Sequence, residues 1–273
     1  MKLSIVSGLN ESSLKKVQIK QKFEEICRLL EPLDYDGIEL ALLEPEKVPV
    51  DSINELRNSY DLDISALGTG STFIRFGYSL GHHKPKLREK ALDRIKKYCE
   101  FGAQTDSHVI IGLIRGRYSY DNDPETELNN IKGSLKKACK IAENYGVKLF
   151  FEPINRFEID SFNTITDSLE LISELNKNNI ELLVDTYHTN LEENPNTIWD
   201  YLKNISEKVG HIHLADTNRR APGTGCFPFE KFLTPFKKSN YSGYISVETI
   251  MKPSFEEVAE QTVEYLKKLK IFD

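Results

Sequence analysis

Four side chains with metal-ligand chemistry close four successive apolar runs. Glu152 ends the run in FFEP, Asp185 the run in LLVDTYH, and Glu248 the run in ISVET; His213 stands near the end of GHIHLAD. Singly, an acidic residue in such a place serves as well for a helix N-cap or an ion pair. Four in a row are different. Three carboxylates converging with an imidazole would repel one another unless a divalent cation sat among them. Oxygen-rich ligation with one nitrogen suits Mn²⁺, Mg²⁺ or Co²⁺ better than a thiolate-type zinc site, and we place Mn²⁺ first. His211, two residues before His213 on the same run, points the same way. The latter lies nearer the C-terminal end and is the expected ligand. His211 is expected one layer deeper, as a hydrogen-bonded structural histidine.

For these ends to meet, the runs must be neighbouring parallel strands. The chain alternates short apolar runs with longer amphipathic segments eight times: Leu3–Val6, Gly37–Leu40, Ile64–Leu67, His108–Ile111, Val147–Glu152, Glu181–Asp185, Val209–Leu214 and Tyr244–Glu248, each followed by a helix-like segment. Ile131, Leu135, Ala138 and Ile141 form one apolar helix face, and Tyr145-Gly146 is a helix stop. Eight strand–helix units with no segment left over predict a closed (β/α)8 TIM barrel, whose active site lies at the C-terminal strand ends. A doubly wound sheet fits less well, because Ser7-Gly8-Leu9-Asn10 after the first run is no dinucleotide-binding fingerprint. No linker or low-complexity segment interrupts the 273 residues, which read as a single domain spanning 1–273.

Composition narrows the function. A net charge of −6, without a Lys/Arg block, argues against a protein that grips nucleic-acid phosphates. No apolar run reaches the ~18 residues of a membrane span, and the N-terminal MKLSIVSGLN reads as a strand and not a signal peptide. Cys27, Cys99, Cys139 and Cys226 form no CxxC pair and read as free thiols. A cytoplasmic enzyme is expected.

The motifs EPINRFE (152–158), VDTYHTN (184–190), HIHLADTNRRAPGTG (211–225) and SVET (246–249) resemble those of the ketose 3-epimerases of the D-tagatose and D-psicose 3-epimerase type, xylose-isomerase-like TIM barrels. The segments ALGTG (66–70) and VIIGLIRGR (109–117) look closer to the 5-keto-L-gluconate epimerase branch. The resemblance runs along nearly the whole chain. It implies Glu152, Asp185, His213 and Glu248 as metal ligands, with Glu152 and Glu248 also the catalytic acid/base pair. It further implies Glu158, His188 and Arg219 as substrate contacts, and a homodimer or homotetramer. The segment 66–70 and the end of strand four depart from the sugar epimerases. Arg115 is therefore a candidate anchor for a substrate carboxylate, or equally a partner for an acidic residue across the barrel rim. Asn155 and Arg156 are expected behind the ligands, the arginine orienting their carboxylates.

The chemistry so implied needs a base to take a proton from the carbon beside a ketone, an acid to return one on the opposite face, and a Lewis acid for the enediolate charge. Glu152 and Glu248, from strands five and eight with two strands between them, can flank one carbon. The expected substrate is a small keto-sugar or keto-sugar acid. A 1,2-aldose–ketose or inosose isomerase would use the same groups. An abasic-site phosphodiesterase would want a histidine-rich multi-zinc cluster, and the chain has only six histidines. A non-catalytic sugar-binding barrel would not need the full ligand set.

Overall fold

The computed structural model describes residues 1–118 and 123–269. The expected single-domain span 1–273 thus includes residues 119–122 and 270–273, which lie outside the described part. Eight strands, β1 (Lys2–Ser7), β2 (Gly37–Ala41), β3 (Asp63–Gly68), β4 (His108–Ile111), β5 (Leu149–Phe151), β6 (Ile180–Asp185), β7 (Val209–Leu214) and β8 (Tyr244–Val247), pair in sequence order. Every pairing is parallel, and β8 returns to β1 through Lys2 opposite Tyr244 and Ser4 opposite Ser246. The expected closed (β/α)8 barrel is the fold found.

The helices follow from pattern and capping. α1 (Lys16–Leu30) and α2 (Val50–Ser59) follow β1 and β2. α4 (Pro85–Thr105) and α5 (Pro124–Asn144) cover β3 and β4. In α5 Asp123 caps the Thr126 N–H, and Pro124 occupies the first turn, where its missing N–H costs nothing. Ile131, Leu135 and Ala138 are buried as the spacing predicts, and Ile141 packs half-buried at the edge. Gly146 ends the segment at φ +69°, a conformation that a side chain would strain. α6 (Ile165–Leu175), α8 (Ile198–Ile205), α9 (Phe229–Lys238) and α10 (Phe255–Lys268) complete the outer ring. Ser254 caps α10 through the Glu257 N–H. Cys27, Cys99 and Cys139 are buried in α1, α4 and α5, and Cys226 is exposed; all four are unpaired.

Two helices were not expected. α3 (Gly70–Phe76) and α7 (Thr186–Glu192) are seven-residue turns inserted between a strand and its covering helix. Both stand at the C-terminal end of the barrel, and α7 bears on the site below. No helix among the described residues is long and apolar enough to cross a membrane.

Two apolar compartments result. The large one lies between strands and helices. The small one, Ala66, Ile110, Phe150 and Leu183, fills the barrel itself: Phe150 and Leu183 share a strand face with Glu152 and Asp185, two residues on. Above this plug the inward-facing positions turn polar.

Helix α4 approaches the sheet so closely that a Cβ on Gly102 would stand 2.7 Å from the Ser107 carbonyl oxygen. Both partners are backbone, so neither can swing aside. Gly102→Ala should lower the unfolding free energy by about 1–3 kcal/mol, read as a lower urea midpoint with an unchanged slope.

Candidate metal centre and active site

Four strand ends deliver the expected ligands to one point. Glu152 follows β5 directly, and its N–H still donates to Ile111 O at 3.2 Å. Glu248 follows β8 likewise, donating to Leu214 O at 3.1 Å. Asp185 is the last residue of β6 and pairs in register with His213 of β7. From His213 Nδ1 it is 3.3 Å to Glu152 Oε1, 3.5 Å to Glu248 Oε2 and 3.8 Å to Asp185 Oδ2. One ligand atom from each of the four lies within 4.8 Å of all the others.

The electrostatics of this cluster fit a cation. Burial and the neighbouring carboxylates of Glu248 and Glu152 push Asp185 up to about 6, against the pull of His188 and His213. Burial disfavours a charge on His213, but the carboxylates of Glu39, Glu248 and Glu152 outweigh it and raise its pKa well above the usual value. Glu152 Oε1 and His213 Nδ1 are buried without a hydrogen-bond partner and face each other. Buried acceptors are costly in that condition. A divalent ion between them satisfies both and neutralises the repulsion, so the donor set fits a hard or borderline metal.

Behind the imidazole lies a residue that pattern reading passed over. Glu39, in the middle of β2, is buried, and its Oε2 accepts from His211 Nε2 at 2.9 Å and His213 Nε2 at 3.1 Å. With one proton on Nε2 against Glu39, His213 turns Nδ1 to the other candidate ligands, where a cation would replace the second proton that its raised pKa favours; carboxylate–histidine–metal triads use this arrangement. Burial alone would raise Glu39; the two imidazoles hold it well below the usual carboxylate range. His211 is the deeper, hydrogen-bonded histidine expected, stacked on Phe150 at 5.3 Å. The signal for Glu39 was a carboxylate inside the apolar run GIEL.

Asp185 does two jobs. Its Oδ1 accepts from the His188 N–H at 2.8 Å, capping α7, while Oδ2 faces His213. The N-cap reading of this residue is true of the geometry, and its second oxygen stands among the other candidate ligands. The cap sets His188 on the first turn of α7, buried, with Nε2 3.8 Å from Glu152 Oε1. Thr186 ties the β6 and β7 ends together, its hydroxyl donating to Ala215 O and accepting from Ala215 N.

The remaining candidates close the mouth. Arg219 Nη1 donates to Glu158 Oε1 at 2.6 Å, and its guanidinium lies 4.9 Å from the Tyr187 ring centroid. Asn155 is buried beneath them and donates to Glu158 Oε1 at 2.8 Å. Glu39, Glu152, Glu158, His188, His213, Arg219 and Glu248 line one cavity, with Thr69, Leu113 and Ile154 on its apolar side. Gly112 also lines it: a Cβ there would fall 2.5 Å from Glu152 Oε2, so only glycine leaves room for that carboxylate.

Two expectations fail. Arg115 is not a substrate anchor. It is 0% exposed, and its guanidinium donates to the backbone carbonyls of Glu152 (2.7 Å), Gly112 (3.1 Å) and Ser161 (3.2 Å). It lies over the Phe151 ring, and burial brings its pKa down to about 10. Arg156 does not orient the ligands. It is exposed and forms a fork with Glu192 on α7, at 2.6 Å. The arginine that braces Glu152 from behind is Arg115.

Known proteins share this architecture. Residues 27–269 match the sequence model described as Xylose isomerase-like TIM barrel. The chain is 25% identical over 234 residues to the 3-dehydro-D-guloside 4-epimerase of Escherichia coli (strain K12), covering 82% of this chain and 86% of that one. It is 27% identical over 221 residues to the L-ribulose 3-epimerase of Methylomonas sp. (strain DH-1), covering 79% and 74%. A crystal structure of D-allulose 3-epimerase from Methylomonas sp. in complex with D-allulose shares the fold, with TM-score 0.82, 21% identity and coverage of 98% and 97%.

Four outcomes test this geometry. Adding Mn²⁺ or Mg²⁺ to chelator-treated protein at about 100 times Kd should stabilise it by ~2.7 kcal/mol, or roughly 5–10 °C in melting temperature. Glu39→Gln should weaken that metal affinity about 10- to 100-fold by titration calorimetry. Arg115→Met should lower the unfolding free energy by about 3 kcal/mol, because buried carbonyls lose their donors. The discrimination between neutral and acidic substrates should be unchanged in refolded Arg115→Met.

Proposed function

The chain belongs to the xylose isomerase-like TIM barrel family, and from that premise we propose a divalent-metal-dependent epimerase of keto-sugars that inverts the carbon beside the ketone. The observation that carries the reading is the meeting of Glu152 and Glu248. They follow β5 and β8, which two strands separate, and stand 3.3 and 3.5 Å from one imidazole nitrogen. Glu158, His188 and Arg219 share their cavity.

In this reading one carboxylate of the pair takes the proton from the substrate carbon, and the other, protonated, gives its proton to the opposite face. The pair ends with the roles exchanged and the substrate inverted. Glu152, Asp185, His213 and Glu248 hold the divalent cation, Mn²⁺ in first place, which when bound supplies a Lewis acid for charge developing on substrate oxygen. His188 points Nε2 into the cavity as a hydrogen-bond partner for substrate oxygen. Glu158 has one oxygen engaged by Asn155 and Arg219, leaving the second for a substrate hydroxyl.

The lining favours a neutral keto-sugar over a keto-sugar acid. Four glutamates, Glu39, Glu152, Glu158 and Glu248, stand against a single guanidinium, Arg219, among the described lining residues, and Glu158 already holds it. A substrate carboxylate would have to draw Arg219 off that partner. The relatives named above, which act on 3-dehydro-D-guloside and L-ribulose by their names, support the same class.

Incubation of the metal-loaded protein in heavy water with D-fructose, D-tagatose and a 5-keto-hexonate tests the reading. Deuterium should enter at the carbon beside the ketone as the epimer appears, faster with the neutral sugars. Deuterium at C1 with an aldose product would make the protein a 1,2-isomerase instead. Glu152→Gln and Glu248→Gln should each cut exchange roughly 10²- to 10⁴-fold without changing the melting temperature of the metal-free protein by more than a few degrees. Near-normal exchange in either variant would sink the two-carboxylate mechanism.

A further inference from the structure

Asn155 lies between two side chains that face the cavity, and its hydrogen bonds leave its amide one orientation. Its Oδ1 accepts from the Phe157 backbone N–H at 3.0 Å, and a backbone N–H can only donate. The opposite side must therefore be the NH₂ group. That nitrogen stands 2.8 Å from Glu158 Oε1, which accepts, and 2.7 Å from His188 Nδ1. Two hydrogens meet two acceptors, and the inventory of a carboxamide is used up. The second contact has a chemical consequence, because His188 Nδ1 must carry a lone pair to receive its hydrogen.

We infer that Asn155 is a positioning residue that locks His188 in the tautomer protonated at Nε2. The ring is buried and packs against Tyr187, and with Nδ1 on Asn155 its Nε2 stands 3.8 Å from Oε1 of Glu152, which lines the cavity. His188 then offers the substrate an N–H donor and never a lone pair. A substrate oxygen opposite it must accept, as a ketone oxygen or an oxygen gaining charge does. The same amide fixes Glu158 with Oε1 turned inward, so one buried side chain sets a donor on one wall and an acceptor on the other. Asn155, expected behind the ligands, does not itself line the cavity and acts through the two side chains it holds. The consequence for turnover rests on the proposed reaction; the tautomer stands on the hydrogen bonds alone.

The test reads the tautomer directly. Mg²⁺-loaded protein carrying ¹⁵N-labelled histidine gives long-range ¹H–¹⁵N correlations for each ring, and His188→Gln assigns the His188 set. The wild type should show a protonated Nε2 and a bare Nδ1. Asn155→Asp, nearly the same shape, puts an acceptor opposite Nδ1 and should move the proton there. Its kcat should fall roughly 10- to 100-fold, with KM changed less than kcat. A wild-type His188 protonated at Nδ1 would overturn the inference, as would an unmoved tautomer in Asn155→Asp accompanied by the same loss of kcat. If Asn155→Asp does not fold, the wild-type spectrum decides alone. A locked Nε2–H tautomer in a protein that exchanges no sugar proton would uphold the lock and remove the proposed reaction.

Discussion

Repulsion among clustered carboxylates, three of them buried, is the constraint that organises this barrel. Glu39, Glu152, Asp185 and Glu248 crowd around one imidazole at the C-terminal mouth. At an effective dielectric of 20, two charges 4 Å apart interact by about 4 kcal/mol, so such a group is not a neutral ornament on the fold. Every surrounding feature answers that strain. The imidazoles of His211 and His213 compensate Glu39, Arg115 braces the Glu152 backbone from behind, and Arg219 bridges to Glu158 across the opening. What remains uncompensated, Glu152 Oε1 against His213 Nδ1, is the place where the donor chemistry asks for a cation.

The division of labour along each strand follows from the same constraint. Phe150 and Leu183 fill the barrel one layer below Glu152 and Asp185, so the charges sit on a dry floor. A dry floor strengthens every interaction above it, attractive or repulsive. It also explains why a glycine stands at 112. The Glu152 carboxylate needs the space that a side chain would take, and only a bare backbone on the adjoining strand end supplies it.

The barrel and the four-residue cluster at its mouth were legible because period and position agree: an apolar run that stops on an acidic residue has few places to stop other than a strand end. The ends of β5, β6 and β8 gave that signal, and β7 added a histidine. Glu39 was not legible as a partner of His213, because the two are 174 residues apart and only barrel closure joins β2 to the far wall. Arg115 was misread for a similar reason. An arginine at a strand end looks like an anchor, but its acceptors are carbonyls at 152 and 161, set by the path of the β5–α6 loop. Arg156 sits in a motif close to Glu152 in sequence and yet turns outward, where Glu192 of α7 takes both its backbone N–H and its guanidinium. The helices α3 and α7 escaped notice because seven residues hold too few turns to show a period.

Asp185 joins the fold to its chemistry through one carboxylate, and the two roles make different demands. Capping α7 needs an oxygen that accepts from the His188 N–H, and an asparagine amide supplies that as well as an aspartate does. Facing His213 and a cation needs the negative charge. The exchange of a single atom thus separates them: the cap and the helix it holds survive, and the charge that a cation would need does not. Under the proposed reaction, that exchange would turn a catalyst into a binder in one step.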